Sequence, residues 1–152
     1  MAVLVYIESE ENKFKKTAYE ALSYGKALAD KMDSKVSGLV INCSDTDGLK
    51  KYGADKIITI DNPDFQKFSS KKYSHAIAEV IKSENSSVVI LSSSANSKFI
   101  GAHLSGITDA AYVSNVVGIP ESISPFVIKR TCFTNKAFSS TDFVIVLPAP
   151  II

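Results

Sequence analysis

Hydrophobic and polar positions alternate in blocks along the 152-residue chain, and the blocks predict its elements. Residues 3–7 form a short, β-branched apolar run suited to a central parallel strand. Residues 8–13 are polar and turn-like, and Thr17 with Glu20 then matches a capping box. Ala18, Ala21, Leu22, Gly25, Leu28, Ala29 and Met32 follow helical spacing, giving an amphipathic helix that ends near Asp33. Residues 36–41 read as a second strand, with Gly38 placed to let a helix approach closely. Residues 45–52 suggest a short helix stopped by Gly53, and residues 57–60 a third strand closed by the turn Asp61-Asn62-Pro63. Ala76, Ile77, Val80 and Ile81 mark the apolar face of another helix. Residues 88–91 are a fourth strand, followed by Ser92, Ser93 and Ser94 and by a helix whose Ala95, Phe99, Ala102, His103 and Gly106 share one face.

This β-α-β-α-β-α-β-α order predicts a three-layer αβα fold with a mainly parallel sheet. Residues 112–119, 126–133 and 143–147 are strand-like with no helical stripe between them, and Pro120 and Pro125 break the first from the second. They are expected as antiparallel or hairpin additions at a sheet edge. The closing PAPII has the character of a linker start.

Composition narrows the function more than it names it. A hydrophobic fraction of 45% with 22% charged residues is that of a soluble single domain long enough to bury its own core. A net charge of +1 leaves no electrostatic footprint for nucleic acid or an anionic membrane. Lys13, Lys15 and Lys16 are the densest basic group and read as a solvated approach to the first helix. Cys43 and Cys132 sit in apolar, strand-like settings, the pattern of buried thiols in a reducing compartment. The first strand lacks the basic flank of a signal peptide, and no apolar run approaches the roughly 20 residues of a membrane span. A cytoplasmic location is expected.

Candidate chemistry gathers at the strand ends. No G-x-G-x-x-G and no G-x-x-x-x-G-K-[ST] occurs, so the usual dinucleotide and phosphate cradles are missing. Glu8 and Glu10 at the end of the first strand oppose an anion there. Ser92, Ser93, Ser94 and Asn96 form a polar elbow that either caps the following helix or contacts a ligand. Ser94, His103 and Asp109 carry triad chemistry but not the spacing of a nucleophile elbow. His75 and His103 would hold a metal only with carboxylates that show no ligand spacing. Arg130, within an apolar strand, suits a fixed contact to a carboxylate or a partner backbone, or an edge charge that blocks aggregation.

The order of these pieces resembles the N-terminal domain of electron transfer flavoprotein alpha subunits. The similarity runs from VLVYIES through YGADKIITID and VVILSSS to SKFIGAHLSGITDAAYVSNVVGI and IKRTCFTNKAF, covering nearly the whole chain. Lys98 and Arg130 match the family pattern; Ser97, His103, Asn115 and Asn135 depart from its usual glycine, arginine, aspartate and glycine. The resemblance implies an adenine nucleotide alpha hydrolase-like fold and a non-catalytic scaffold that pairs with a beta subunit. It implies FAD in the assembled heterodimer, chiefly on a C-terminal domain beyond residue 152 and not on residues 1–152. It further implies electron transfer from flavin dehydrogenases, such as the acyl-CoA dehydrogenases of fatty acid beta-oxidation, towards a quinone reductase. Lys98, His103 and Arg130 are the expected contacts to a partner or neighbouring domain, with no nucleic acid partner and no membrane insertion. The alternative is a stand-alone nucleotide-binding protein of universal-stress type that uses Ser92, Ser93, Ser94 and Asn96 at its elbow.

Overall fold

The computed structural model describes residues 2–143. Their order is β1 (Ala2–Tyr6), β2 (Ser9–Glu10), β3 (Lys13–Phe14), α1 (Lys16–Lys31), β4 (Lys35–Ile41), β5 (Lys56–Ile60), α2 (Ser70–Glu84), β6 (Ser86–Leu91), α3 (Ala95–Thr108), β7 (Ser122–Ile123), β8 (Phe126–Cys132) and β9 (Ala137–Phe143). The four apolar runs become a parallel sheet in the order β5-β4-β1-β6. The two inner strands are buried on both faces, which is why their sequences lack alternation. Along β1 and just beyond it, Val3, Val5 and Ile7 join the core under α1, while Leu4 and Tyr6 join the core under α2 and α3. Register pairs Tyr6 with both Leu39 and Leu91, so the carboxyl ends of β1 and β6 finish level, β4 runs on to Ile41, and Glu8 comes beside Ser92.

Helix α1 lies close to the sheet because of Gly25. A Cβ there would stand 2.5 Å from Val5 Cγ2. The opening at Gly38 serves the sheet's own side chains instead of a helix: a Cβ would meet Ile7 Cδ1 at 2.7 Å and Ile57 Cδ1 at 2.9 Å. The capping box at Thr17 and Glu20 does not form. The helix starts earlier, with Lys15 as an N-cap that makes no side-chain cap, because the hairpin of β2 and β3 brings Lys15 back beside Glu8. Glu11 and Asn12 close that hairpin at φ 49° and 59°, as a two-residue turn between right-twisted strands requires. Of the helix expected over 45–52, only a 3-10 turn at Leu49–Tyr52 forms, and Gly53 ends it at φ 105°. Asn62 caps the turn Pro63–Phe65 by accepting from the Asp64 amide at 2.9 Å.

The last third departs most from its sequence pattern. Residues 112–119 are irregular, touching β8 through a single bridge from Val116 to Arg130, with Asn115 at φ 59° breaking any strand there. Strands β7, β8 and β9 pair antiparallel in a sheet of their own, and no pairing joins it to the parallel sheet among the described residues. It is fixed through its side chains: Phe126 and Ile128 enter the core under α1. Tyr24 donates to the Gly118 carbonyl at 3.1 Å, and Lys31 donates to the Pro120 carbonyl, tying α1 to the same segment. Of the strand expected over 143–147, only Phe143 is described, as the last residue of β9; the rest, and the PAPII end, lie outside the described residues. Cys43 is buried and Cys132 half-buried, and both are free thiols.

Candidate functional site

The carboxyl ends of β1 and β6, the start of α3 and residues 112–116 enclose the part of the molecule where polar groups converge. Its anchor is Glu8, only 3% exposed although charged. Lys15 donates to Glu8 Oε1 at 3.0 Å and reaches Glu10 at 3.3 Å, and the Ser92 hydroxyl donates to Glu8 Oε2 at 3.0 Å. Burial pushes the Glu8 carboxyl up, but hydrogen bonding from Ser94, Lys15 and Ser92 and the Lys15 charge outweigh it and hold it below its ordinary value. The same partnership, led by the Glu8 hydrogen bond, holds the Lys15 ammonium above its usual range. Lys15 is therefore no solvated approach charge. It neutralises a carboxylate that α1 and the sheet would otherwise bury alone.

The elbow residues divide their work. Ser92 is buried on Glu8 and lies 3.2 Å from Ser97 Oγ. Ser94 caps α3, its hydroxyl accepting from the Ser97 amide at 3.0 Å. Ser93 is exposed and lines a cavity of about 240 Å³ together with Ser97, Lys98, Tyr112 and Ser114. Asn96 faces a second, about 470 Å³, space with Glu8, Glu10, Glu11, Phe65 and Tyr73. Tyr112 seats its ring over Gly101, where a Cβ would meet the ring at 2.7 Å. Burial pushes its phenol up, against the opposing pull of the Arg130 charge.

Helix α3 turns the opposite way from its sequence reading. Ser97, Ile100, Gly101 and Leu104 are buried, whereas Ala95, Phe99, Ala102 and Gly106 face outward, with Phe99 65% exposed. Small residues mislead here. Gly101 is buried because Tyr112 occupies the space its side chain lacks, and Ser97 because it bonds Ser92. Lys98 and His103 flank the outward face on opposite sides, at helical positions separated by more than a quarter turn. His103 is half-buried beside His75, ring centroids 6.1 Å apart, and its Nδ1 has no partner. Arg130 Nε is likewise buried and unpartnered.

Triad chemistry does not assemble. Ser94 is engaged as a cap, His103 lies nine residues on, about 13 Å along the helix axis, and Asp109 is the C-cap at φ 54°. Among the described residues no group of three His, Cys, Asp or Glu side chains is placed to hold a metal ion. No helix there is long and apolar enough to cross a membrane. The sequence reading did not find the Glu8–Lys15 pair. The signal was present, as a carboxylate directly following a wholly buried strand with a lysine within hairpin reach.

A parallel sheet with α1 on one face, α2 and α3 on the other, and an antiparallel sheet fastened over α1 defines a three-layer α/β domain whose polar edge is the strand ends. The Electron transfer flavoprotein domain matches residues 3–149, and the chain belongs to that family. It is similar to the electron transfer flavoprotein subunit alpha of Bacillus subtilis (strain 168), at 27% identity over 146 residues, 92% of this chain and 44% of that protein. It also resembles the acryloyl-CoA reductase electron transfer subunit beta of Anaerotignum propionicum, 29% identical over 59% of the chain and 25% of that protein. Protein FixB of Clostridium saccharobutylicum is 28% identical over 67% of the chain and 30% of its own length. The chain thus spans less than half the length of these relatives. Family membership, with the missing glycine cradles, disfavours the stand-alone nucleotide-binding alternative.

Proposed function

We propose that the chain is the N-terminal scaffold and subunit-contact domain of an electron transfer flavoprotein alpha subunit. As a heterodimer with a beta subunit and FAD, the assembly carries electrons from flavin dehydrogenases, such as acyl-CoA dehydrogenases, towards a quinone reductase in the cytoplasm. The family match over residues 3–149 carries this reading. Residues 1–152 act as one domain, without catalysis of their own, and FAD belongs to a separate C-terminal domain.

An FAD site outside residues 1–152 draws support from the lining of two spaces among the described residues. A space of about 240 Å³ is below the roughly 300 Å³ at which pockets for drug-sized ligands begin. The larger one presents Glu8, Glu10 and Glu11 where a diphosphate would need donors. The contact role draws support from α3. Its outward face carries exposed Phe99 between Lys98 and His103, and the buried Nδ1 of His103 and Nε of Arg130 lack partners that a docking chain would supply.

Co-expression of the chain with its cognate beta subunit tests the reading. The expected result is a complex that Phe99→Asp abolishes without lowering the thermal stability of the chain, and a chain that purifies alone without flavin. A yellow, flavin-retaining preparation, or Phe99→Asp binding the beta subunit as tightly as the parent, would overturn it.

A further inference from the structure

The space of about 470 Å³ beside Glu8 has two linings that come from different parts of the chain. The end of β1 and the hairpin of β2 and β3 supply Glu8, Glu10 and Glu11. The segment between β5 and α2, with α2 itself, supplies Phe65, Phe68 and Tyr73, and Tyr6 of β1 joins them. Lys15 is the single cation on this lining, and it is already engaged by Glu8 at 3.0 Å and Glu10 at 3.3 Å. Glu11 has no ion pair among the described residues, so three carboxylates share one ammonium. Lys67 and Lys72, the cations beside the rings in sequence, are not on the lining, and Lys72 donates to the Asp64 carbonyl at 3.4 Å.

Carboxylates alone collect diffuse counter-ions that added salt replaces. The rings are an independent observation. Around Tyr73 stand Tyr6 at 6.2 Å and Phe65 at 5.3 Å, edge-on at 83° and 89°, and Phe68 at 5.3 Å, tilted by 52°. Rings set at steep angles about a common neighbour make walls and not a stack, the geometry of an aromatic cage. Phe68 remains 42% exposed, an aromatic surface that the fold itself does not cover. The carboxylate and the rings also sense each other. Burial, and then the Glu8 charge, push the Tyr73 phenol up; burial, Tyr73 and Glu8 act on the Tyr6 phenol in the same direction. Among the described residues no three carboxylates converge as a metal ion requires, so a hard divalent cation is a poor match for this lining.

We propose that this space binds a small organic cation, a methylated ammonium head group on a short uncharged carrier, seated against Phe65, Phe68 and Tyr73 and neutralised by Glu10 and Glu11. A primary ammonium is a compact, strongly hydrated charge, whereas a methylated one presents an apolar shell that ring faces attract. The volume falls within the roughly 300–1,000 Å³ of small-molecule sites. The place, beyond the carboxyl ends of parallel strands, is where such sheets take their ligands. Every residue on the lining belongs to this chain, so the site is independent of the subunit-contact reading.

The test titrates the full chain with choline and, in a parallel series, with ethanolamine at a pH where its amine is charged, with sodium chloride at matched ionic strength as control. Calorimetry gives the affinity, and the Tyr73 ring resonances report the place. Choline is expected to saturate and to bind more tightly than ethanolamine, and sodium chloride to give no saturable response. Phe68→Leu, at an exposed position, should weaken choline roughly threefold or more and bring the two ligands closer together. Glu11→Gln, in the exposed hairpin turn, should weaken both ligands by a similar factor. No saturable response to choline, a shift that sodium chloride reproduces, ethanolamine binding as tightly, or a choline affinity that either variant leaves unchanged overturns the proposal.

Discussion

Replacing Lys15 with methionine isolates what holds the strand ends together. The stem of the side chain survives, but the ammonium 3.0 Å from Glu8 Oε1 is lost. At that distance two unit charges attract by about 5 kcal/mol at an effective dielectric of 20. Lys15 is 33% exposed, so water screens part of this, and the penalty of burying Glu8 offsets more. A net loss of about 1–3 kcal/mol at neutral pH is the expected outcome. The pH dependence is more telling than the size. In the parent, Glu8 titrates below its ordinary value of about 4.3, so its contribution is present above that pH and is lost as pH falls through the lower folded value. Without Lys15 only the Ser94 and Ser92 hydrogen bonds oppose burial, and the folded carboxyl rises. The acid-side loss of stability then shrinks, flattening the profile through the carboxylate range. Urea unfolding at a series of pH values from about 4 to 7 measures both effects. Adding Glu8→Gln to Lys15→Met removes the buried charge and should recover most of the loss at neutral pH. Parallel stability–pH profiles for the parent and Lys15→Met, or an unchanged stability at pH 7, would refute the reasoning.

Two further predictions concern the packing and the elbow. Gly25→Ala gains about 1 kcal/mol of helix propensity but drives a methyl to 2.5 Å from the stiff Val5 side chain, so thermal melts should register a net loss of about 1–2 kcal/mol that Val5→Ala partly reverses. Ser94→Ala removes the acceptor of the Ser97 amide and should cost about 1 kcal/mol in urea. The same variant should leave background hydrolysis of a simple ester at its parental rate, an outcome a nucleophilic serine would not permit.

The parallel sheet was legible because its signals are local. Four apolar runs, each bounded by turn residues, needed only to be laid side by side. The helices were legible as helices, yet α3 was assigned the wrong face. Its buried side is built from Ser97 and Gly101, residues that carry little hydrophobic weight and are covered because Ser92 and Tyr112 happen to reach them. The capping box failed for a similar reason. Thr17 and Glu20 have the right chemistry, but the start of α1 is decided by a hairpin that carries Lys15 to Glu8. Residues 112–119 are rich in β-formers and still form no strand, since β8 offers them one bridge, at Val116, and Gly101 a seat for Tyr112 instead of a ladder. Asn135, where the resemblance leads one to expect glycine, has a left-handed backbone at φ 63°, which asparagine tolerates. Partnerships across 84 residues, such as Ser92 with Glu8, leave no trace in a local pattern.

The fastening of the antiparallel sheet over α1 bears on how the chain comes to fold as it is made. Tyr24 waits for a carbonyl 94 residues later, and the apolar layer between α1 and the sheet is completed only by Phe126 and Ile128. At ribosomal speeds of about 5–20 residues per second, that wait lasts roughly 5–20 s. During it the nascent α1 layer stands open to water. A message cut short before residue 126 would release a chain with its parallel sheet encoded in full and one greasy flank bare, a natural substrate for chaperones and proteases.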